Sequence, residues 1–167
     1  MNIANKIVED SINSLHKTLH IVWLIVFILI FATAGMHYIV YDIFKGREAF
    51  YFSYDDLKYT FIILVFLSAI ICLYIRKWRF SKQMTRLLED WNKNQLKTFP
   101  YREILEKYSA SMILSILLTE NSAAIGFIFS LLTGSPILFY ISIIVSICLL
   151  IYCTPKKSEI KTLLTYK

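Results

Sequence analysis

The chain has 167 residues, of which 57% are hydrophobic and only 18% charged, with a formal net charge of +6. A soluble domain is nearer half apolar and a quarter charged, so this composition excludes an ordinary water-soluble core and indicates a membrane protein. The excess of positive charge lies beside apolar runs with no nucleic-acid-binding motif, so it reads as topology signal and lipid-headgroup contact, and no nucleic acid is expected as a partner.

The spacing of apolar runs predicts an all-α, polytopic membrane protein that forms a single membrane domain over residues 1–167. A helix needs about 20 apolar residues to cross a bilayer. Four runs answer to this, at about 19–43, 57–77, 109–133 and 136–153. The first contains Ala32-Thr33-Ala34, which resembles a signal-peptidase site. A long polar segment precedes it and apolar residues continue past it to Val40, so it is read as an uncleaved signal anchor.

Lysine and arginine orient the spans. The segments before the first span, between the second and third, and after the fourth hold 15 of them, whereas the first loop holds Lys45, Arg47 and Lys58 and the third connection none. The positive-inside rule places both termini and the long second loop in the cytoplasm, and an even number of spans agrees. Trp23, Trp78 and Trp91 are read as anchors at the membrane interface, because amphipathic rings prefer the headgroup level. Helical spans with cytoplasmic positive charge, in a chain rich in Ile and Lys, suit a bacterial inner membrane.

Between spans two and three, Phe80, Met84, Leu87, Leu88 and Trp91 recur at helical spacing. After Pro100, Tyr101, Ile104, Leu105 and Tyr108 form a second stripe. These segments, about 78–108, predict a cytoplasmic helical hairpin that extends spans two and three. One helix lying in the headgroup layer is the alternative reading. Either would offer basic side chains to anionic lipid. Spans three and four are joined by Thr133-Gly134-Ser135-Pro136, where Gly ends one helix, Ser caps the next and Pro takes its first position.

Span three carries the candidate site, Thr119-Glu120-Asn121-Ser122. Glu120 is the only acidic residue well inside a span, and a charge at the bilayer centre costs about 2.5–3.5 kcal/mol on insertion scales. It is removed by protonation, by a partner or by water, so the residue is a candidate for binding or carrying a proton or cation, or for locking helix packing. Ser111, Ser115, Thr119, Ser122, Gly126 and Ser130 fall on one narrow helical stripe, and small residues at such spacing let another helix approach closely. Glu120 lies away from that stripe, on the side of Ala123, Ala124 and Phe127, and Asn121 points to a third side. Span three is therefore expected to be enclosed on all sides, by its own bundle and by further copies or other membrane subunits.

Further candidates lie outside span three. His16 and His20 share a helix face but have no evident third ligand, so no metal is expected. His37 sits near the outer end of span one, close to water. Cys72, Cys148 and Cys153 have no metal-site or redox spacing and read as small apolar fillers. No catalytic triad or cofactor motif is present, so neither enzymatic activity nor a cofactor is expected.

Two resemblances follow. Tyr101-Arg102, Lys107-Tyr108-Ser109, Leu118-Thr119-Glu120, Ala123, Phe127 and Leu131-Leu132-Thr133-Gly134, through Pro155 and Ile160, resemble small, uncharacterised four-span bacterial membrane proteins. Those carry a glutamate in span three and a Thr-Gly turn before span four; the likeness covers the C-terminal part and implies no assigned activity. More briefly, Glu120-Asn121-Ser122-Ala123-Ala124-Ile125-Gly126 is similar to the ion-binding helix of rotary-ATPase proteolipid (c-type) subunits, which implies ion handling at Glu120. Those subunits are Gly-rich, unlike this chain with its four glycines. Two functions are thus expected: a non-enzymatic subunit or scaffold of a membrane complex, or a proton- or cation-handling channel, transporter or proteolipid-like subunit.

Overall fold

A computed structural model describes residues 3–44, 54–79, 85, 86, 89 and 101–164, and every described element is helical. In chain order these are α1 (Ile3–Phe44), α2 (Tyr54–Leu73, continued by a π-helical turn over Tyr74–Arg79), α3 (Tyr101–Thr133), α4 (Pro136–Tyr152) and the short α5 (Lys157–Leu164). Among the described residues, three segments are long and apolar enough to cross a membrane: Glu9–Ile43, Leu57–Lys77 and Tyr101–Thr133. The fourth, α4, is shorter at 17 residues.

Lengths follow from 1.5 Å per residue: α1 is about 63 Å, α3 about 50 Å and α4 about 26 Å. A hydrocarbon core is about 30 Å thick. So α1 and α3 each carry turns in excess of a span, and those turns lie at the same end of the bundle. There α5 joins them, and Ile160 is buried among Ile12, Leu19, Leu105, Tyr108 and Met112. We call this the terminal end, and the opposite one, where α3 meets α4, the turn end.

At the turn end, Gly134 has φ 65°, the left-handed conformation that a side chain disfavours. Thr133 Oγ1 donates to Phe129 O at 2.8 Å and accepts from Ser135 N–H at 3.3 Å. Ser135 takes the cap position in extended geometry but makes no side-chain cap, and Pro136 follows at the head of α4. A proline forces its predecessor into that extended region, so backbone geometry rather than a serine hydroxyl starts this helix.

The long helix α3 packs against α1, α2 and α4 and is the centre of the bundle. Its contacts fix the directions of its neighbours. His37 meets Ser130 and Tyr41 Oη donates to Gly134 O, both pairs 93 residues apart, so α1 runs parallel to α3. Against α2 the pairs cross over, Ser68 with Ser122 and Ile75 O with Ser111, as in an antiparallel pair.

The predicted hairpin is described only in part. Helix α3 begins at Tyr101, two turns ahead of the apolar run, and residues 85, 86 and 89 are helical. The stripe of Phe80, Met84, Leu87, Leu88 and Trp91 lies outside the described residues, as does the side chain of Trp78. The structure adds α5, a helix where the sequence reads as a basic tail.

Candidate functional site

The interior around α3 is built from small hydroxyl residues. Ser68, Ser115, Thr119, Ser122, Ser130, Ser142 and Ser146 are all buried. A hydroxyl away from water is costly unless it finds an acceptor, and Ser146 is the one of these buried without a partner among the described residues. Three turn back on their own helices: Ser115 donates to Ser111 O at 2.8 Å, Thr119 to Ile116 O at 2.7 Å and Ser142 to Leu138 O at 3.0 Å. Satisfied in this way, they present a small surface to a neighbouring helix. Others bridge helices, with Ser68 and Ser122 at 3.2 Å and Ser111 donating to Ile75 O at 2.9 Å.

Gly126 marks the closest approach. A Cβ placed there would overlap the Cβ and Oγ of Ser142 and lie 3.2 Å from Leu138 O. The sequence-predicted stripe of Ser111, Ser115, Thr119, Ser122, Gly126 and Ser130 therefore faces helices of the same chain. Five of the six are buried and Ser111 partly so. The stripe is occupied within one copy and leaves no small-residue seam for another.

The polar centre divides. Thr119 and Ser122 are buried, Glu120 is half-buried and Asn121 is exposed. Among the described residues, neither the Glu120 nor the Asn121 side chain has a hydrogen-bond or ion-pair partner. Asn121 sits on an outward row with Leu114, Leu117, Ala124 and Ile128, all exposed. Within one copy, α3 thus has an outward, largely apolar face, on the side where the sequence reading expects a further copy or another subunit. Its other sides were placed by periodicity alone, and only the positions of the neighbours distinguish covered from open. The register of α1 on α3, 93 residues, puts Phe27 level with Glu120. Phe27 belongs to a ladder, with its ring centroid 5.5 Å from Trp23 and 4.9 Å from Phe31. Glu120 thus lies at the level of aromatic side chains, with an amide beside it.

His37 is not near water. It is 3% exposed, its Nε2 lies 2.8 Å from Ser130 Oγ, and its ring stacks on Phe139 with centroids 3.8 Å apart. Burial follows from Ser130 and Phe139, which lie on other helices and cannot be seen in a single-span pattern. Trp23, read as an interface anchor, is half-buried and donates its indole N–H to Leu150 O at 2.9 Å. His16 and His20 have ring centroids 4.4 Å apart, and no group of three metal-binding side chains occurs among the described residues.

A second polar cluster lies at the terminal end and was missed in the sequence. Glu159 of α5 accepts from Arg76 Nη2 at 2.5 Å and from Tyr108 Oη at 3.1 Å. The guanidinium carbon lies 5.8 Å from the Tyr108 ring centroid. These contacts tie α5 to α2 and α3, and Lys161 adds a looser pair with Glu9 at 3.9 Å. The available signal was Pro155, followed by Ile160, Leu163 and Leu164 at helical spacing.

Comparison with protein-family models, curated proteins and solved structures finds no match.

Proposed function

We propose that this chain is a non-enzymatic, four-span subunit of an inner-membrane assembly, with both termini in the cytoplasm, and that it associates through the outward face of α3. The observation that carries the proposal is Asn121, an exposed amide in the middle of a span, beside the half-buried carboxyl of Glu120. Facing lipid, an amide has no hydrogen-bond partner, and its transfer from water to an apolar medium costs about 4–8 kcal/mol where nothing compensates it. A protein neighbour removes that cost. A second copy in the same membrane has the same orientation, so a two-fold axis along the membrane normal sets Asn121 against Asn121 at equal depth. An amide both donates and accepts, so it complements itself. The terminal end, with the turns of α1 and α3 beyond their spans and α5, then forms a cytoplasmic layer, and the basic second loop is available to anionic lipid. Although α4 is only about 26 Å long, slight bilayer thinning accommodates a span of that length at modest cost.

The test is native mass spectrometry after gentle extraction from the host membrane. The wild type is expected above the monomer mass and Asn121→Leu at it. A different protein in the wild-type assembly would identify the neighbour as another subunit, and a wild-type monomer would contradict the proposal.

The unpartnered carboxyl supports a second reading, proton or cation handling at Glu120. It predicts a flux in liposomes that Glu120→Gln abolishes; the structural reading predicts no flux, intact assembly for Glu120→Gln and disrupted assembly for Glu120→Leu.

A further inference from the structure

Cys72 and Cys153 are 81 residues apart in sequence, yet their Sγ atoms lie 3.7 Å from one another and both residues are wholly buried. Cys72 belongs to the last turn of α2, and its thiol also lies 3.4 Å from Ser115 O. Cys153 caps the C-terminus of α4, its N–H bonded to Leu149 O at 2.9 Å, where the chain turns toward α5. One helical turn after Cys72, Arg76 binds Glu159 of α5. The two thiols thus sit at the place where α2 meets the hinge between α4 and α5.

We propose that Cys72 and Cys153 are a site of reversible oxidative modification, forming an intramolecular disulfide with a hydroperoxide as oxidant and so clamping the α4–α5 hinge to α2. The gap exceeds a disulfide bond length by about 1.6 Å, so the two sulfurs must close by that distance for the bond to form. The pair lies at the end assigned above to the cytoplasm, where thiols rest reduced and disulfides are transient. Complete burial selects the oxidant: a small, uncharged peroxide enters an apolar site, whereas charged, bulky oxidised glutathione does not.

The chemistry balances. One sulfur, as thiolate, attacks a peroxide oxygen; an S–O bond forms and the O–O bond breaks, and the departing hydroxide takes up the released proton as water. The second sulfur then attacks the sulfenic sulfur, forming the S–S bond and expelling hydroxide, which takes the second thiol's proton as another water. Two electrons pass from the sulfurs to the peroxide, and a thiol reductant reverses the result.

The test uses the full chain in vesicles of native lipid, carrying Cys148→Ser because Cys148 and Cys153 share a tryptic peptide. Hydrogen peroxide is expected to yield, after denaturation and digestion, a cross-linked species joining peptides 59–76 and 108–156, lost on reduction. Oxidised glutathione is expected to yield none. In folded protein, peroxide should slow cleavage after Lys156 and Lys157 several-fold. Cys153→Ser should lose the cross-link and leave Cys72 as a sulfenic acid that dimedone traps, which separates loss of the partner from loss of folding. Two thiols still open to alkylation after peroxide and denaturation, with no cross-link between peptides 59–76 and 108–156, would overturn the proposal.

Discussion

Substituting Gly126 by alanine tests the packing of α3 on α4. The added Cβ would overlap both Ser142 Oγ and Ser142 Cβ, with Leu138 O at 3.2 Å. A hydroxyl escapes by rotating, but the Ser142 Cβ is fixed by the backbone, so the two helices must separate. Overpacking of this kind costs about 1–3 kcal/mol, and it also stretches the buried contacts on either side of the crossing. Reversible unfolding in mixed micelles, followed by circular dichroism, is expected to show Gly126→Ala destabilised within that range. The double variant with Ser142→Gly should recover most of the loss, because it deletes the atoms that are struck. Unchanged stability of Gly126→Ala, or no recovery in the double variant, would refute the close approach at this crossing.

Other expectations follow from the same contacts. Ser146 Oγ is buried without a partner among the described residues, so Ser146→Ala should raise unfolding stability by about 1 kcal/mol or more, whereas Ser130→Ala, which strips His37 of its partner, should lower it by about 1–3 kcal/mol. Glu159→Ala should release α5: hydrogen bonds to charged groups contribute about 1.5–3 kcal/mol, and the lower figure applies because the Glu159 side chain is 37% exposed. Limited trypsin digestion should then cut faster after Lys157 and Lys161. Tyr41→Phe removes one bond to Gly134 O and should cost about 0.5–1.5 kcal/mol in the same unfolding assay.

Much of this architecture was legible in the residues themselves. The Thr133-Gly134-Ser135-Pro136 turn carries its own punctuation, and the serine and glycine periodicity of α3 announces a face for close packing, because both are local properties of one segment. What was hidden depends on a second segment. His37 is polar and near a helix end, and only Ser130 and Phe139 on other helices bury it. Cys72 and Cys153 have no meaningful spacing in sequence, since α2 and the end of α4 bring them together. Eight residues of α5 among lysines read as a tail, and their helical form depends on Ile160 finding the Tyr108 and Met112 surface. Periodicity also separated Glu120 and Asn121 from the stripe, yet which side was covered and which open depended on where α1, α2 and α4 lie.

The central claim, association through the outward face of α3, is tested most directly by cross-linking in native membranes with Asn121 intact. In a Cys148→Ser background, Leu117→Cys places a thiol one turn from Asn121 on the same face, and Ile144→Cys places one on the exposed side of α4. A membrane-permeant oxidant is expected to give a covalent dimer with Leu117→Cys and none with Ile144→Cys. No dimer from Leu117→Cys, or equal dimer from both positions, would contradict the account.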